Sequence, residues 1–335
     1  MESVASQLNV QELVSWVREF IQHPRRLGPL IEDEPGWNVL TSAMDLISDT
    51  EEAIGSYLAN RGQAVGYRYL ALYGVLQAMY MQQDALEGLV RVLTGDDKYK
   101  IEQEPEASRI RQVRHDAVGH PTKQGGTNIK RNGQPNEQVS HAIVRHSMET
   151  GRFEVIRSSN LAGPRIVKID MLQLIDTNRE LAKRVLWRVK TRLEDFEMAH
   201  REEFKSEKLR AIFHSSMGYS FQKIFGAIDS PNTGNAVLGP ICLKEVITCF
   251  NSFKDALQRR GCLPVGNHLD MYLNEAEYAL TELVGYFSND GFLAQQPRAA
   301  EVFTYYAKHK MEELETIAGQ IDDEYEEEAS AIAGA

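Results

Sequence analysis

The absence of proline between Pro35 and Pro105 is the feature that most constrains the fold of this chain. Proline breaks helices, and across this stretch apolar residues recur three or four positions apart, as they do on one face of a helix. The pattern runs from Leu40 to Leu58, restarts at Val65 and continues to Leu93. It predicts a helical segment followed by a long, largely buried helix that ends within residues 94–97.

A short basic helix is predicted from about Glu106 to Val118. Gly119 suits the left-handed position that often follows a helix, and Pro121 cannot continue one. Residues 122–136 are mostly Gly, Asn, Gln and Lys, which indicates a polar loop. The helix is therefore expected to end sharply and to open into this loop.

After residue 138 the hydrophobic period changes to that of strands. Residues 139–148 and 151–159 are β-branched runs separated by a turn, which predicts a β-hairpin, and residues 166–172 suit a third strand. Helical spacing resumes at about Leu172 and dominates the rest of the chain. The predicted fold is mainly α, with an N-terminal helix in residues 1–35, a helical domain in 36–200 that carries a small β-hairpin or sheet insertion at about 138–172, and an all-helical C-terminal domain in 201–335.

Charge is strongly segregated along the chain. Lys and Arg number 37 against 48 Asp and Glu, and a net charge of −11 excludes a protein that binds nucleic acid over its whole surface. Residues 109–168, however, hold eleven Lys and Arg against four Asp and Glu, so this segment carries +7 and the remainder −18. One basic face on an acidic body suits a phosphodiester ligand, although the two surfaces could equally pair with each other or across a dimer. Four of the nine histidines also lie in this segment: His115, His120, His141 and His146.

Cysteine use and hydropathy favour a cytoplasmic protein. Cys242, Cys249 and Cys262 are an odd number with no C-x-x-C pair, as expected of buried thiols in a reducing compartment. The first 20 residues have helical apolar spacing and lack the basic and apolar regions of a signal peptide. No uninterrupted apolar stretch reaches the roughly 18–20 residues that cross a bilayer, so no membrane contact is predicted.

The sharpest motif is RHDAVGH at residues 114–120. In this motif, and in the long helix and polar loop around it, the chain resembles the HEPN superfamily. The ribonucleases of that superfamily carry an Arg, a polar residue and four to six residues in all before an invariant His, at the end of the second helix of a hairpin. Arg114, the polar His115 and the five residues between Arg114 and His120 match this pattern. The resemblance covers roughly residues 36–200 and implies a HEPN-like helical bundle.

The resemblance implies an endoribonuclease that uses neither a metal nor another cofactor and cleaves RNA through attack by the ribose 2′-hydroxyl, leaving a 2′,3′-cyclic phosphate. His120 would transfer protons, since imidazole titrates near neutrality, and Arg114 would stabilise the negative charge that grows on the phosphorane. HEPN sites form where two hairpins pack together, so a homodimer is implied. A role as a toxin or phage-defence effector, with a possible antitoxin or regulatory protein partner, is implied in the same way. Thr122 stands where toxins regulated by a nucleotidyltransferase antitoxin carry Tyr, so that mode of regulation is not predicted.

Neighbours of the motif complete the predicted site. Asp116 lies four residues before His120 and is expected to accept a hydrogen bond from its ring. Gln83 and Asp84, on the long helix, are expected to face the motif as supporting residues, although a buried salt bridge or an exposed helix face would also account for them. The predicted catalytic residues are Arg114, His120, His115 and Asp116, and the predicted RNA-binding residues are Arg111, Lys123, Lys130 and Arg131.

Two other functions compete with this interpretation. His115 and Asp116 spell the HD pair of metal-dependent phosphohydrolases, but those enzymes need a separate upstream His and a downstream Asp. His115 and His120 also do not share one helix face. The second alternative is a non-catalytic HEPN-like module for dimerisation or protein interaction, in which Arg114 and His120 make structural hydrogen bonds. The presence of both Arg and His in a basic segment favours the enzyme.

Overall fold

The computed structural model describes residues 8–22, 26, 34–59, 64–119, 138–149, 151–214, 216–230, 234–263 and 268–333. Over these residues the protein is mainly α with a small three-stranded antiparallel sheet, as the sequence predicts. It divides into two compact units, one of residues 1–22 with 30–194 and one of residues 23–29 with 195–335. The basic motif and the sheet both belong to the first unit.

The first unit is built on two long antiparallel helices that account for the proline-free stretch. Val39 of the first lies beside Gly88 of the second, and Glu51 of the first contacts Gln82. The second ends at Gly95, whose left-handed backbone (φ +67°) lets its N–H bond to the Arg91 carbonyl. The described helices of this unit are α1 (Val10–Gln22), α2 (Glu34–Ala59), α3 (Val65–Thr94), α4 (Pro105–Arg114) and the part of α5 (Met171–Phe204) up to residue 194.

Two clusters of buried side chains hold this unit together. One joins α1, α2, the C-terminal half of α3 and α5, with Leu13, Leu89 and Leu186 among its members. The N-terminal helix α1 is therefore packed into the first unit. The other cluster joins α4 and the N-terminal half of α3 to the sheet, through residues such as Ile110 and Leu76. Burial of each such side chain stabilises the fold by about 1.5–3 kcal/mol.

The sheet confirms the predicted hairpin and third strand. Its strands are β1 (Val139–Ile143), β2 (Arg152–Ser159) and β3 (Arg165–Asp170), in the order β1-β2-β3 with antiparallel pairing. β1 ends five residues earlier than the β-branched run suggested. Ser147 causes this, because its hydroxyl bonds to the Val144 carbonyl and accepts from the Glu154 N–H, which closes a turn instead of extending the strand.

The second unit is helical over its described residues. Its helices are α6 (Met217–Asp229), α7 (Asn235–Arg259), α8 (His268–Ser288) and α9 (Pro297–Ala333), together with the end of α5 from residue 195. Within α7, residues 236–259 are long and apolar enough to cross a membrane by length and composition alone. Leu243, Val246, Phe250 and Phe253 of that stretch are buried in the core of the unit.

Candidate active site

The basic helix α4 does not end as the sequence predicts. It changes after Arg114 into a π-helical turn, His115–Gly119, at whose start the His115 N–H bonds to the carbonyls of Arg111 and Gln112. Gly119 is not in the left-handed region, so the predicted left-handed cap is wrong. The wider π turn reorients the chain in its place, and such turns occur frequently at functional sites.

Gly119 allows a close approach, and its backbone angle is one that other residues adopt. A Cβ atom at this position would lie 3.2 Å from Arg114 Nη1 and 3.3 Å from His115 Nδ1. Both distances are tighter than ordinary van der Waals contact, so a side chain here would press on the guanidinium and on the imidazole. The absence of a side chain therefore lets the end of the motif lie against its own Arg114.

Arg111 fastens α4 to α3. Its guanidinium donates to Gln83 Oε1 at 3.0 Å, to Glu102 Oε1 at 3.1 Å and to the carboxylate of Asp84. The predicted supporting residues Gln83 and Asp84 thus bind Arg111, three positions before the motif begins. The predicted role of Arg111 in RNA binding is not supported by this geometry, because two carboxylates offset its charge and its side chain is only 12% exposed.

Gln83 is the end of a hydrogen-bonded chain through the core. Its Nε2 donates to Asn178 Oδ1 at 2.9 Å, Asn178 Nδ2 donates to Gln82 Oε1 at 2.6 Å, and Gln82 Nε2 donates to Glu51 Oε1 at 2.9 Å. Arg179 donates to the other oxygen of Glu51 at 3.0 Å. Buried polar groups joined in this way fix the relative placement of the helices that carry them. Sequence reasoning missed Asn178, because one polar residue inside an apolar helical pattern gives no periodic signal.

Arg114 is held quite differently from Arg111. Its Nε and Nη2 donate to Gln77 Oε1 at 3.2 and 2.9 Å, and its guanidinium lies over the Tyr80 ring with Cζ 4.8 Å from the centroid. Arg111 lies over the same ring at 4.5 Å. Among the described residues no carboxylate lies within ion-pair distance of Arg114. A neutral amide and an aromatic ring fix its direction and leave its positive charge uncompensated.

Asp116 lies between α4 and the first strand of the sheet. Its Oδ1 accepts from Gln112 Nε2 at 2.6 Å, and its Oδ2 lies 3.5 Å from Nε2 of His141 on β1. The expected partner, His120, lies outside the described residues. The His141 side chain is only 4% exposed, and its Nδ1 has no hydrogen-bond partner among the described residues. His141 was missed as a site residue, although the sequence places it in the basic, histidine-rich segment.

His141 is disfavoured in its charged form. Burial lowers the pKa of His141 because the charged imidazolium would lose its hydration. The carboxylate of Asp116 opposes this shift, whereas Arg157, His115 and Arg165 act in the same direction as burial. Asp116 therefore faces an imidazole that is mainly neutral at pH 7.

The described part of the site thus brings Arg114, His115, Asp116 and His141 to one place. The motif is described as far as Gly119. The predicted site residues His120, Lys123, Lys130 and Arg131 lie outside the described residues. Within the described part of the chain, no group of three or more His, Cys, Asp and Glu residues is arranged to hold a metal ion.

Comparisons with known proteins leave the family of this chain open. It matches no protein-family model, no curated protein sequence and no solved structure. A function for this chain therefore has to be inferred from the chemistry of Arg114 and its neighbours.

Proposed function

We propose that the chain is a metal-independent endoribonuclease whose active site is centred on Arg114 and His120. One observation carries this proposal: Arg114 is fixed by Gln77 and Tyr80, and no carboxylate of the described residues lies within ion-pair distance of it. Arg114 directly precedes the π turn, and His120 follows that turn in the sequence. A preoriented cation of this kind stabilises charge as it develops on a phosphoryl group. Arg111 lies in the same turn of the helix and provides a comparison, because its charge is paired with the carboxylates of Asp84 and Glu102.

The proposed reaction needs a proton-transfer group and a cation. His120 follows Gly119 directly and takes the proton from a ribose 2′-hydroxyl, whose oxygen attacks the adjacent phosphorus. The P–O5′ bond breaks, the 5′-oxygen leaves with a proton, and the products are a 2′,3′-cyclic phosphate and a 5′-hydroxyl. Arg114 binds the non-bridging phosphate oxygens, which gain negative charge in the transition state.

The proposed active form is a homodimer, as in HEPN ribonucleases. The face of α3 that carries Gln77 also presents apolar side chains to solvent. A second copy seated on this face would bury them and bring two Arg114 sites together, and exposed apolar patches commonly mark such interfaces. The exposed apolar residues of this face are Tyr67, Leu70, Tyr73 and Met81.

The proposed setting follows from the same resemblance. We place the enzyme in the cytoplasm as a toxin or phage-defence effector that attacks cellular RNA, with no membrane partner. An antitoxin or another regulatory protein would restrain it. The helical second unit is the part available for that partner, because the motif and the sheet belong to the first unit.

The test is cleavage of total RNA by the purified protein in excess EDTA. We expect the wild-type chain to cleave and to leave 2′,3′-cyclic phosphate ends, and we expect Arg114→Ala and His120→Ala to lower the rate at least about 100-fold. Arg114→Lys is the matched variant, since it keeps the charge but loses the planar donor pair, and an intermediate rate is expected.

Three results would overturn the proposal. Equal cleavage by all variants would show that a contaminant or another site is responsible. No cleavage by the wild-type dimer would favour the non-catalytic interaction module. Activity lost to EDTA and restored by a divalent cation would indicate metal-dependent chemistry.

A further inference from the structure

One face of the sheet carries basic side chains in a row that begins at the motif. His141 is paired with Arg157 in the register of β1 and β2, and Arg157 is paired with Arg165 in the register of β2 and β3. Residues directly opposite each other in an antiparallel sheet point to the same face. The three side chains therefore form one row, which crosses the sheet over about 10 Å at the usual strand spacing of about 4.8 Å.

His141 fixes the inner end of this row. It is buried, and its Nε2 lies 3.5 Å from Asp116 in the π turn that follows Arg114. The row therefore begins beside the proposed active site and runs outward to the exposed Arg165 on β3. His141 anchors the row, and the two arginines supply its charge.

The opposite face of the sheet gives a built-in contrast. Arg152 lies 3.5 Å from Asp170, and Lys168 lies 3.8 Å from Glu154, so both cations on that face have a carboxylate beside them. Arg165 has no carboxylate within ion-pair distance among the residues described.

We infer that the row of Arg157 and Arg165, anchored by His141, binds the sugar–phosphate backbone of the RNA strand that enters the site at Arg114. The choice of RNA rests on the proposed function, whereas the affinity for phosphates rests on the row itself. A positively charged track along the backbone is the usual means of holding a single strand. The sheet, which lies outside the helical hairpin, thereby takes part in binding the substrate.

The test is the salt dependence of binding to a single-stranded 2′-O-methyl RNA of about 20 nucleotides, measured by fluorescence anisotropy. This probe lacks the attacking hydroxyl, so binding is measured without cleavage. The row variant is Arg157→Gln with Arg165→Gln. The control is Arg152→Gln with Lys168→Gln, which removes the same charge from the opposite face of the same sheet.

We expect the row variant to bind at least about 10-fold more weakly, and the slope of log K against log salt to fall by about 1.4, which corresponds to two lost phosphate contacts at about 0.7 each. The control variant is expected to keep the wild-type slope. A DNA oligonucleotide of the same sequence should show the same loss with the row variant, because the row contacts phosphates.

Equal effects of the two double variants would overturn the inference, as would binding of the DNA that is insensitive to the row. The outcomes for binding and for cleavage are separable. If the wild-type chain cleaves RNA but the row variant binds normally, the row has no role in binding and the proposed function stands. If the row variant loses binding but no RNA is cleaved by the wild type, the proposed function fails and the phosphate-binding row stands.

Discussion

Asn178→Ala tests the buried hydrogen-bonded chain that places α4 and its arginines. Asn178 is 1% exposed, and its side-chain amide both accepts from Gln83 and donates to Gln82, neither of which is exposed at all. Truncation to alanine removes both bonds. It leaves the Gln82 Oε1 acceptor and the Gln83 Nε2 donor in the core without these partners.

The expected loss follows from those two groups. A buried polar group without a partner costs about 1–3 kcal/mol, so two of them lower the free energy of unfolding by about 2–6 kcal/mol. The lower half of that range is expected, because the small space left by the side chain can admit water. With an m-value of about 2 kcal/mol per molar urea, the midpoint of unfolding should fall by about 1–2 M.

Tryptophan fluorescence in urea is a suitable assay, because all three tryptophans, Trp16, Trp37 and Trp187, lie in the first unit. The signal therefore follows the unit that contains Asn178 and not the second unit. Asn38→Ala is the matched control, since Asn38 is exposed on α2 of the same unit, and it should change the free energy by less than about 0.5 kcal/mol. A loss below about 1 kcal/mol for Asn178→Ala would refute the reasoning that this network supports the site.

Three further predictions use the same protein. Gly151→Ala should lower the free energy of unfolding of the first unit by about 1–3 kcal/mol, because φ is +87° and the new Cβ would lie 2.8 Å from Leu172 Cγ. Gly163→Ala is the control, since a Cβ there would meet open space, and it should be nearly neutral. Equal urea midpoints for the two variants would contradict this prediction. The folded-state pKa of His141 lies below its unfolded value, so its contribution to stability is complete above about pH 6.5 and declines below it. The urea midpoint should therefore fall from pH 7 to pH 5, and fall less in His141→Gln; an unchanged pH dependence in that variant would count against the assignment. The three buried cysteines should resist a thiol reagent at pH 8 until urea unfolds the chain. For Cys249, burial also raises the pKa to about 11, so little of the reactive thiolate is present. Rapid labelling of the native protein would contradict this burial.

Much of the fold was predictable from the sequence because its signals are local. The proline-free stretch and its three- and four-residue spacing predict α2 and α3, and the change to a two-residue period predicts the sheet. The motif at Arg114 is also visible in sequence, since it is a short pattern at a helix end. Each of these signals is carried by residues near one another in the chain.

Only the tertiary structure distinguished the two arginines of α4. Arg111 and Arg114 are both arginines of one short helix, yet Asp84, 27 positions away, offsets the charge of Arg111. Gln77 holds Arg114, which has no carboxylate within ion-pair distance among the described residues. Asp116 likewise lies 3.5 Å from His141, a residue of β1 that is 25 positions away in the chain. Periodicity and turn chemistry record local conformation, whereas the charge left on a side chain depends on which distant partners the packing brings within 3–4 Å of it. For that reason the sequence by itself determined the helices, the strands and the motif, and the packing decided which cation is available to a phosphate.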